Sequence, residues 1–166
     1  MLSGIFGFAG MVINFAVYQQ KSGKSLLVLK LVSDILWMLH YYLLGAYTGA
    51  CIALIGAFRE LTFIKVDKKS NWGIISLCIF CVLSVFSSAV TWKSMFSVLP
   101  AVASILSVLS FYISKPYTCR VLSLPISACM FTYSSVSGSY VGMANEVITV
   151  ASSVLALIRT SQTKEK

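Results

Sequence analysis

The sequence predicts an all-α integral membrane protein whose seven transmembrane helices form two parallel three-helix repeats joined by a linker helix (3+1+3). The 166 residues are 58% hydrophobic and 11% charged, whereas soluble domains carry roughly 25% charged residues. Apolar runs long enough to cross a bilayer, ~20 residues each, recur seven times along the chain. In addition, two stretches that lie 93 residues apart are nearly the same.

The seven predicted spans follow one another closely. They are residues 2–20, 26–44, 47–64, 73–90, 95–113, 120–137 and 140–158. The first span has no basic flank before it and no small-residue cleavage site after it, so we expect it to be retained rather than removed as a signal peptide. The predicted organisation is a first repeat at 1–66, a linker helix with its loops at 67–94, a second repeat at 95–160 and a cytoplasmic tail at 161–166.

Basic residues collect at alternate joins between the spans. They follow the first, third, fifth and seventh spans, at Lys21, Lys24, Lys65, Lys68, Lys69, Lys115, Arg120, Arg159, Lys164 and Lys166. The opposite joins hold only Lys93. Because Lys and Arg favour short cytoplasmic loops, we expect the N-terminus outside and the C-terminus in the cytoplasm of a plasma membrane. This topology accounts for the net charge of +8. We therefore expect the lipid bilayer as a partner and no nucleic acid.

The internal repeat has a constant offset. GAYTG at 45–49 returns as GSYVG at 138–142, and the first three spans align with the last three without a gap. Since the fourth span crosses the membrane once between them, both triplets point the same way. Some transporters use parallel repeats of this kind to enclose a central cavity. The alternative is a duplication that only builds a stable bundle.

The second span places polar and aromatic side chains on one face. At 100° per residue, Lys30, Asp34, Trp37 and Tyr41 lie on the same side of the helix, with His40 at the edge of that face. An ionisable group deep in a bilayer costs roughly 2.5–3.5 kcal/mol, and it persists when it is paired or faces a watery cavity. This face is therefore the first candidate wall of a solute site.

Three further side chains, Asn14, Arg59 and the adjacent Glu60, reach a similar depth. With a rise of 1.5 Å per residue, Asn14 and Arg59 come level with Asp34. Lys30 and Asp34 are four residues apart on one helix and can form an ion pair. We also expect Lys30 to reach Glu60 and Arg59 to balance Asp34. A purely structural ion-pair cluster that locks the first triplet together is the alternative to a functional site.

The second half carries a different polar set. Its deep polar pair is Asn145 and Glu146, in the seventh span. The counterparts of the first-half positions 14, 34, 59 and 60 are all serines, namely Ser107, Ser127, Ser152 and Ser153. We therefore expect a cavity that is charged on one wall and rich in hydroxyls on the other. Such a cavity suits a small polar solute rather than a lipid.

The sequence contains no catalytic or cofactor signature. HExxH, GxSxG and P-loop motifs are absent, and no His/Cys set with metal-ligand spacing occurs. Cys78 and Cys81 form a C-x-x-C inside an apolar span, where cysteine typically serves as a small apolar side chain. We therefore predict that the protein is not an enzyme and holds no metal or cofactor.

The first half resembles a known family. VYQQKSGKSLLVLKLVSDILWMLHYYLLGAYTGACIALIGAFR, residues 17–59, is similar to YgjV-type bacterial inner-membrane proteins, which typically show L-x-H-[FY]-x-L-L-G-A-x-T-G-A followed by an arginine. More widely, the chain resembles the SWEET, SemiSWEET and PQ-loop transporters, in the basic loop after Gln19 and Gln20. In that group a tryptophan and an asparagine contribute to a sugar site, and Trp37 and Asn145 stand in comparable places. The resemblance implies a triple-helix-bundle fold in a bacterial inner membrane.

Together these features predict a transporter or facilitator of a small polar solute, such as a sugar, nucleoside or vitamin, that works by alternating access. The residues predicted to contact the solute are Asn14, Asp34, Trp37, Tyr41, Asn145 and Glu146. The predicted intramembrane ion pairs involve Lys30, Asp34, Arg59 and Glu60. The alternative function is that of a non-transporting membrane protein, either a sensor or an assembly partner. One chain has enough spans to enclose a path, and the sequence leaves a homo-oligomer open.

Overall fold

A computed structural model describes residues 2–67, 70–92 and 94–164, and within these ranges the chain forms seven α-helices, one short 3-10 turn and no β-strand. The helices are α1 (Leu2–Gln19), α2 (Gly23–Leu43), α3 (Tyr47–Lys65), α4 (Asn71–Val90), α5 (Val98–Ile113), α6 (Pro116–Val136) and α7 (Tyr140–Lys164). The 3-10 turn Met95–Ser97 leads into α5. Each predicted span thus coincides with one helix. Of the basic residues counted above, Lys68, Lys69, Lys93 and Lys166 lie outside the described residues, as does the end of the predicted tail 161–166.

Six of the seven helices in the described ranges are long and apolar enough to cross a membrane, and α6 is the exception. Its 21 residues correspond to ~31 Å, enough to span a hydrocarbon core. Its mean hydropathy is lower because it carries one arginine and several hydroxyl side chains. These polar groups face inward, since Arg120, Ser123 and Ser127 are buried, whereas the apolar Phe131 and Val136 are exposed.

Six of the described helices form a ring, and α4 lies outside it. Around the ring, α1 packs on α2, α2 on α3, α3 on α5, α5 on α6, α6 on α7, and α7 on α1. The remaining helix, α4, packs against α3 and α5. Exchanging α1, α2 and α3 with α5, α6 and α7 reproduces the same set of ring neighbours. The ring is therefore compatible with the predicted two-fold relation between the halves.

Two glycine turns close the α2–α3 and α6–α7 hairpins in the same way. Gly45 and Gly138 have positive φ angles of 74° and 69°, a region that favours glycine because it has no Cβ. The N–H of Gly45 donates to the carbonyl of Tyr42, and that of Gly138 donates to the carbonyl of Ser135. Both the glycines and their acceptors are separated by the repeat offset, so the repeated sequence forms a repeated turn here.

Two apolar clusters lie toward opposite ends of the ring. We call the end where α1 finishes and α2 begins the basic end, and the end with the two glycine turns the glycine end. The cluster toward the basic end consists of Val17, Tyr18, Leu26, Leu27, Phe63, Phe80, Val108, Phe111 and Cys119. The cluster toward the glycine end consists of Trp37, Tyr41, Ala46, Ala50 and Tyr133. Along their helices, Asn14, Asp34 and Arg59 lie between these two clusters.

Candidate solute-binding cavity

A cavity of about 100 Å³ lies at the centre of the ring. Every ring helix contributes lining side chains, and among the described residues none comes from α4. The six residues predicted to contact a solute all line this cavity: Asn14, Asp34, Trp37, Tyr41, Asn145 and Glu146. Lys30 and Arg59 line it as well, whereas Glu60 is fully buried behind Arg59. The tertiary structure thus brings these residues together, and their role in binding stays a prediction.

Three charged side chains on one wall of the cavity form a network with Glu60 behind them. Asp34 forms an ion pair with Lys30 one turn earlier on α2. Arg59 Nη2 lies 3.8 Å from Asp34 Oδ2 and 2.6 Å from Glu60 Oε1. The expected contact between Lys30 and Glu60 is replaced by these pairs, because Arg59 occupies the place beside Glu60. Buried charges of both signs therefore balance one another on this wall.

Close packing of α2 on α3 places Asp34 within reach of Arg59. A Cβ added at Gly56 would lie 2.5 Å from Asp34 Oδ2, so only glycine leaves room for the carboxylate there. Small residues at such crossings let transmembrane helices approach closely. The charged network thus depends on Gly56, whose lack of a side chain leaves room for the carboxylate of Asp34.

A second wall contains a chain of amide and carboxylate groups that joins α1 to α7. Asn14 Nδ2 donates to Asn145 Oδ1 over 3.1 Å and to Thr149 Oγ1 over 2.9 Å. Asn145 Nδ2 donates to Glu146 Oε1 over 2.8 Å. No basic side chain of the described residues forms an ion pair with Glu146. Asn14 therefore pairs with the second-half amide, not with Asp34 and Arg59 as its depth suggested.

The comparison with protein families agrees with a chain of membrane-spanning helices. A model of the bacterial inner membrane protein family Imp-YgjV matches residues 1–164, nearly the whole chain. The chain belongs to the Imp-YgjV family. Among the curated proteins and the solved structures, nothing matches it. Membership supports a multi-pass location in the bacterial inner membrane, and the resemblance to SWEET and PQ-loop transporters stays a prediction.

At the glycine end of this Imp-YgjV protein, side chains of one half bind groups of the other half. The N–H of Gly49 in α3 donates to the hydroxyl of Tyr133 in α6 over 3.1 Å. The hydroxyls of Tyr41 and Ser134, which lie 93 residues apart in the sequence, are hydrogen-bonded at 3.1 Å. The first of these bonds gives the amide of Gly49 an acceptor at the start of α3, where backbone N–H groups have no acceptor within the helix.

His40 makes the corresponding connection to the start of α7. Its Nε2 lies 2.8 Å from Ser139 Oγ, and that oxygen accepts the N–H of Gly142 over 3.0 Å. Its Nδ1 lies 2.7 Å from the carbonyl of Ser3. Since a carbonyl can only accept, the proton of a neutral imidazole belongs on Nδ1, and Nε2 accepts from the serine hydroxyl. His40 thus links α1, α2 and α7.

Arg120 differs from its sequence interpretation. Counted above as a basic residue of the join after the fifth span, it lies inside α6 and is buried. Its guanidinium donates to the carbonyls of Tyr18 and Gln20 and to the hydroxyl of Thr160. It therefore satisfies carbonyls at the end of α1, which lack partners within their own helix. The signal available in the sequence was Pro116, since proline favours the first position of a helix.

Proposed function

We propose that this protein is a transporter or facilitator that moves a small polar solute across the bacterial inner membrane by alternating access. The observation that carries the proposal is the polar cavity at the centre of a ring of membrane-spanning helices. Polar side chains inside a membrane are costly and typically mark solute or ion pathways. The apolar clusters on either side of the cavity would then serve as the two barriers of which one opens at a time.

Alternating access requires two units that rock against each other, and we assign these to residues 1–66 and 95–160, with 67–94 as the linker. The neighbour relations of the ring and the matching glycine turns support this assignment. So does the bond between Tyr41 and Ser134, because a residue touches its own repeat counterpart only near the axis that relates the two halves. In this proposal α6 also crosses the membrane, which gives seven spans in all.

Hydration of the cavity provides the test. In a variant whose five native cysteines are replaced, we would introduce Ser107→Cys, which lines the cavity. The matched control is Ser84→Cys, which is fully buried between α4 and α5 and bonds Ser104. A small water-soluble thiol reagent is expected to label the cysteine at 107 and to spare the one at 84.

Either of two results would contradict the transporter. If both cysteines resist the reagent in the folded protein, the centre of the ring is dry and the alternative function as a sensor or assembly partner gains support. If both react at the same rate, labelling reports general loosening of the bundle. If position 107 alone reacts, proteoliposome flux of solutes that protect this cysteine would identify the cargo.

A further inference from the structure

We infer that the solute is a small cation with N–H donors, an ammonium-bearing compound, held between Glu146 and Asn14. This inference rests on the proposed function and names the substrate class for the same cavity. Glu146 is 8% exposed and Asn14 is 5% exposed, and both line the cavity. Three independent features of the described residues support it, namely the balance of charge, the direction of hydrogen bonds and the aromatic walls.

The acidic side chains in and behind the cavity walls outnumber the basic ones by one. Lys30 is paired with Asp34, and Arg59 is held by Asp34 and Glu60. An anionic solute would have to displace one of these carboxylates to gain a basic partner. Glu146, in contrast, forms no ion pair with a basic side chain of the described residues. A buried carboxylate is strongly stabilised by an added cation, because its own desolvation is otherwise uncompensated.

The direction of the hydrogen bonds leaves an acceptor beside this acid. An ionised carboxylate only accepts, so Asn145 must present its NH₂ group to Glu146 and its carbonyl oxygen to Asn14. Asn14 must then donate through Nδ2, and its Oδ1 is left buried without a donor in the described part of the chain. Of these two groups, Asn14 Oδ1 is the one that lacks a donor, and the carboxylate of Glu146 beside it can accept further N–H groups. An ammonium group supplies three N–H donors and no acceptor.

Aromatic rings and small size complete the site. Trp37 and Tyr41 line the same cavity, and the faces of such rings attract cations within about 6 Å. The volume of about 100 Å³ is smaller than the ~150 Å³ of a cavity that holds benzene. In this conformation the site therefore fits an ammonium with a short body and not a sugar ring.

Fluorescence of Trp37 gives a direct test. Of the three tryptophans, Trp72 and Trp92 are exposed and lie outside the cavity, so Trp72→Phe with Trp92→Phe leaves one reporting indole. The purified full chain in detergent would be titrated with methylammonium chloride. Parallel titrations with sodium chloride, sodium acetate and methanol separate an ammonium from a metal cation, an anion and a neutral molecule. We expect a saturable change with methylammonium alone.

Two variants locate the binding site. Glu146→Gln keeps the size of the side chain and is expected to weaken methylammonium binding about tenfold or more, since bonds to charged groups are the strong ones. Asn14→Ala, which removes the free acceptor, is expected to weaken it in the same direction. Asp67→Asn neutralises an exposed acid between α3 and α4 and should leave binding unchanged. Size-exclusion profiles and circular dichroism establish that each variant is folded.

The outcomes separate this inference from the proposed function. An equal response to sodium would show that the site binds metal cations. A response to acetate or methanol would show that it binds an anion or a neutral molecule. No response to any probe would show that there is no ammonium site. Each of these overturns the inference. Labelling of Ser107→Cys is scored independently, so a labelled cavity without ammonium binding retains the transporter, and an unlabelled cavity contradicts both.

Discussion

At the scale of single residues, two buried glutamates show how partners decide the cost of a charge. Glu60 is fully buried and accepts bonds from Arg59 Nε at 3.1 Å and Nη2 at 2.6 Å. Glu146 is nearly as buried, yet its bond within the wall comes from the neutral amide of Asn145. The same residue type thus stabilises a buried cation at one position and faces the cavity at the other.

This contrast predicts different stabilities for two identical changes. Glu60→Gln removes the main counter-charge of a buried arginine, which costs about 3–5 kcal/mol when one partner of a buried pair is lost. Glu146→Gln leaves no buried cation unpaired and should cost under about 1 kcal/mol. Unfolding of the purified protein in detergent, followed by near-ultraviolet circular dichroism, measures both. Equal losses of stability in the two variants would show that Arg59 does not depend on Glu60.

At the scale of helices, the glycine end is held by two reciprocal bonds between the halves. Tyr133 of α6 accepts the amide of Gly49, the third residue of α3. Through Ser139, His40 of α2 reaches the amide of Gly142, the third residue of α7. Positions 40 and 133 are counterparts in the predicted repeat, so each predicted half completes a helix start of the other. In the proposed transport cycle, opening the cavity at this end would require these bonds to break.

Removing one of these bonds should favour the conformation that is open at the glycine end. Tyr133→Phe deletes the hydroxyl and keeps the ring, and a typical hydrogen bond contributes about 0.5–1.5 kcal/mol. We therefore expect Ser107→Cys to be labelled roughly two- to tenfold faster in this background. The control is Tyr117→Phe, on the same helix but exposed, which should leave the rate unchanged. A slower rate in Tyr133→Phe would mean that the bond belongs to the open state.

At the scale of the whole molecule, charge distinguishes the two ends of the ring. Five exposed basic residues lie at or near the basic end: Lys21, Lys24, Lys65, Lys115 and Arg159. The turns at Gly45 and Gly138 carry no charge. Because basic residues are retained on the cytoplasmic side, we propose that the glycine end faces outward and that the N-terminus lies on the same side.

Single cysteines at the two ends test this orientation. In the cysteine-free background, Ser137→Cys lies at the glycine end and Ser22→Cys at the basic end. A membrane-impermeant thiol reagent applied to cells with a permeabilised outer membrane should label position 137 at once. Position 22 should react only after the inner membrane is opened. The reverse pattern would place the basic end outside, and labelling of both would indicate a dual orientation.

The sequence alone predicted the features that depend on neighbours along the chain. Each helix corresponds to an apolar run, and the pair of Lys30 with Asp34 follows from their spacing of four residues on one helix. The equal turns at Gly45 and Gly138 follow from the repeat. The helices extend beyond several predicted spans, and α6 begins at Pro116, before the predicted span 120–137.

Contacts between helices were decided only by the tertiary structure. Depth along a helix gave the common level of the polar side chains, but the rotation of each helix decides which of them meet. Asn14 therefore bonds Asn145 rather than Asp34, and Arg59 rather than Lys30 reaches Glu60. Arg120 is buried against the end of α1 for the same reason. Hydrophobic periodicity specifies which residues avoid lipid, whereas helix packing selects the partners of the polar side chains inside.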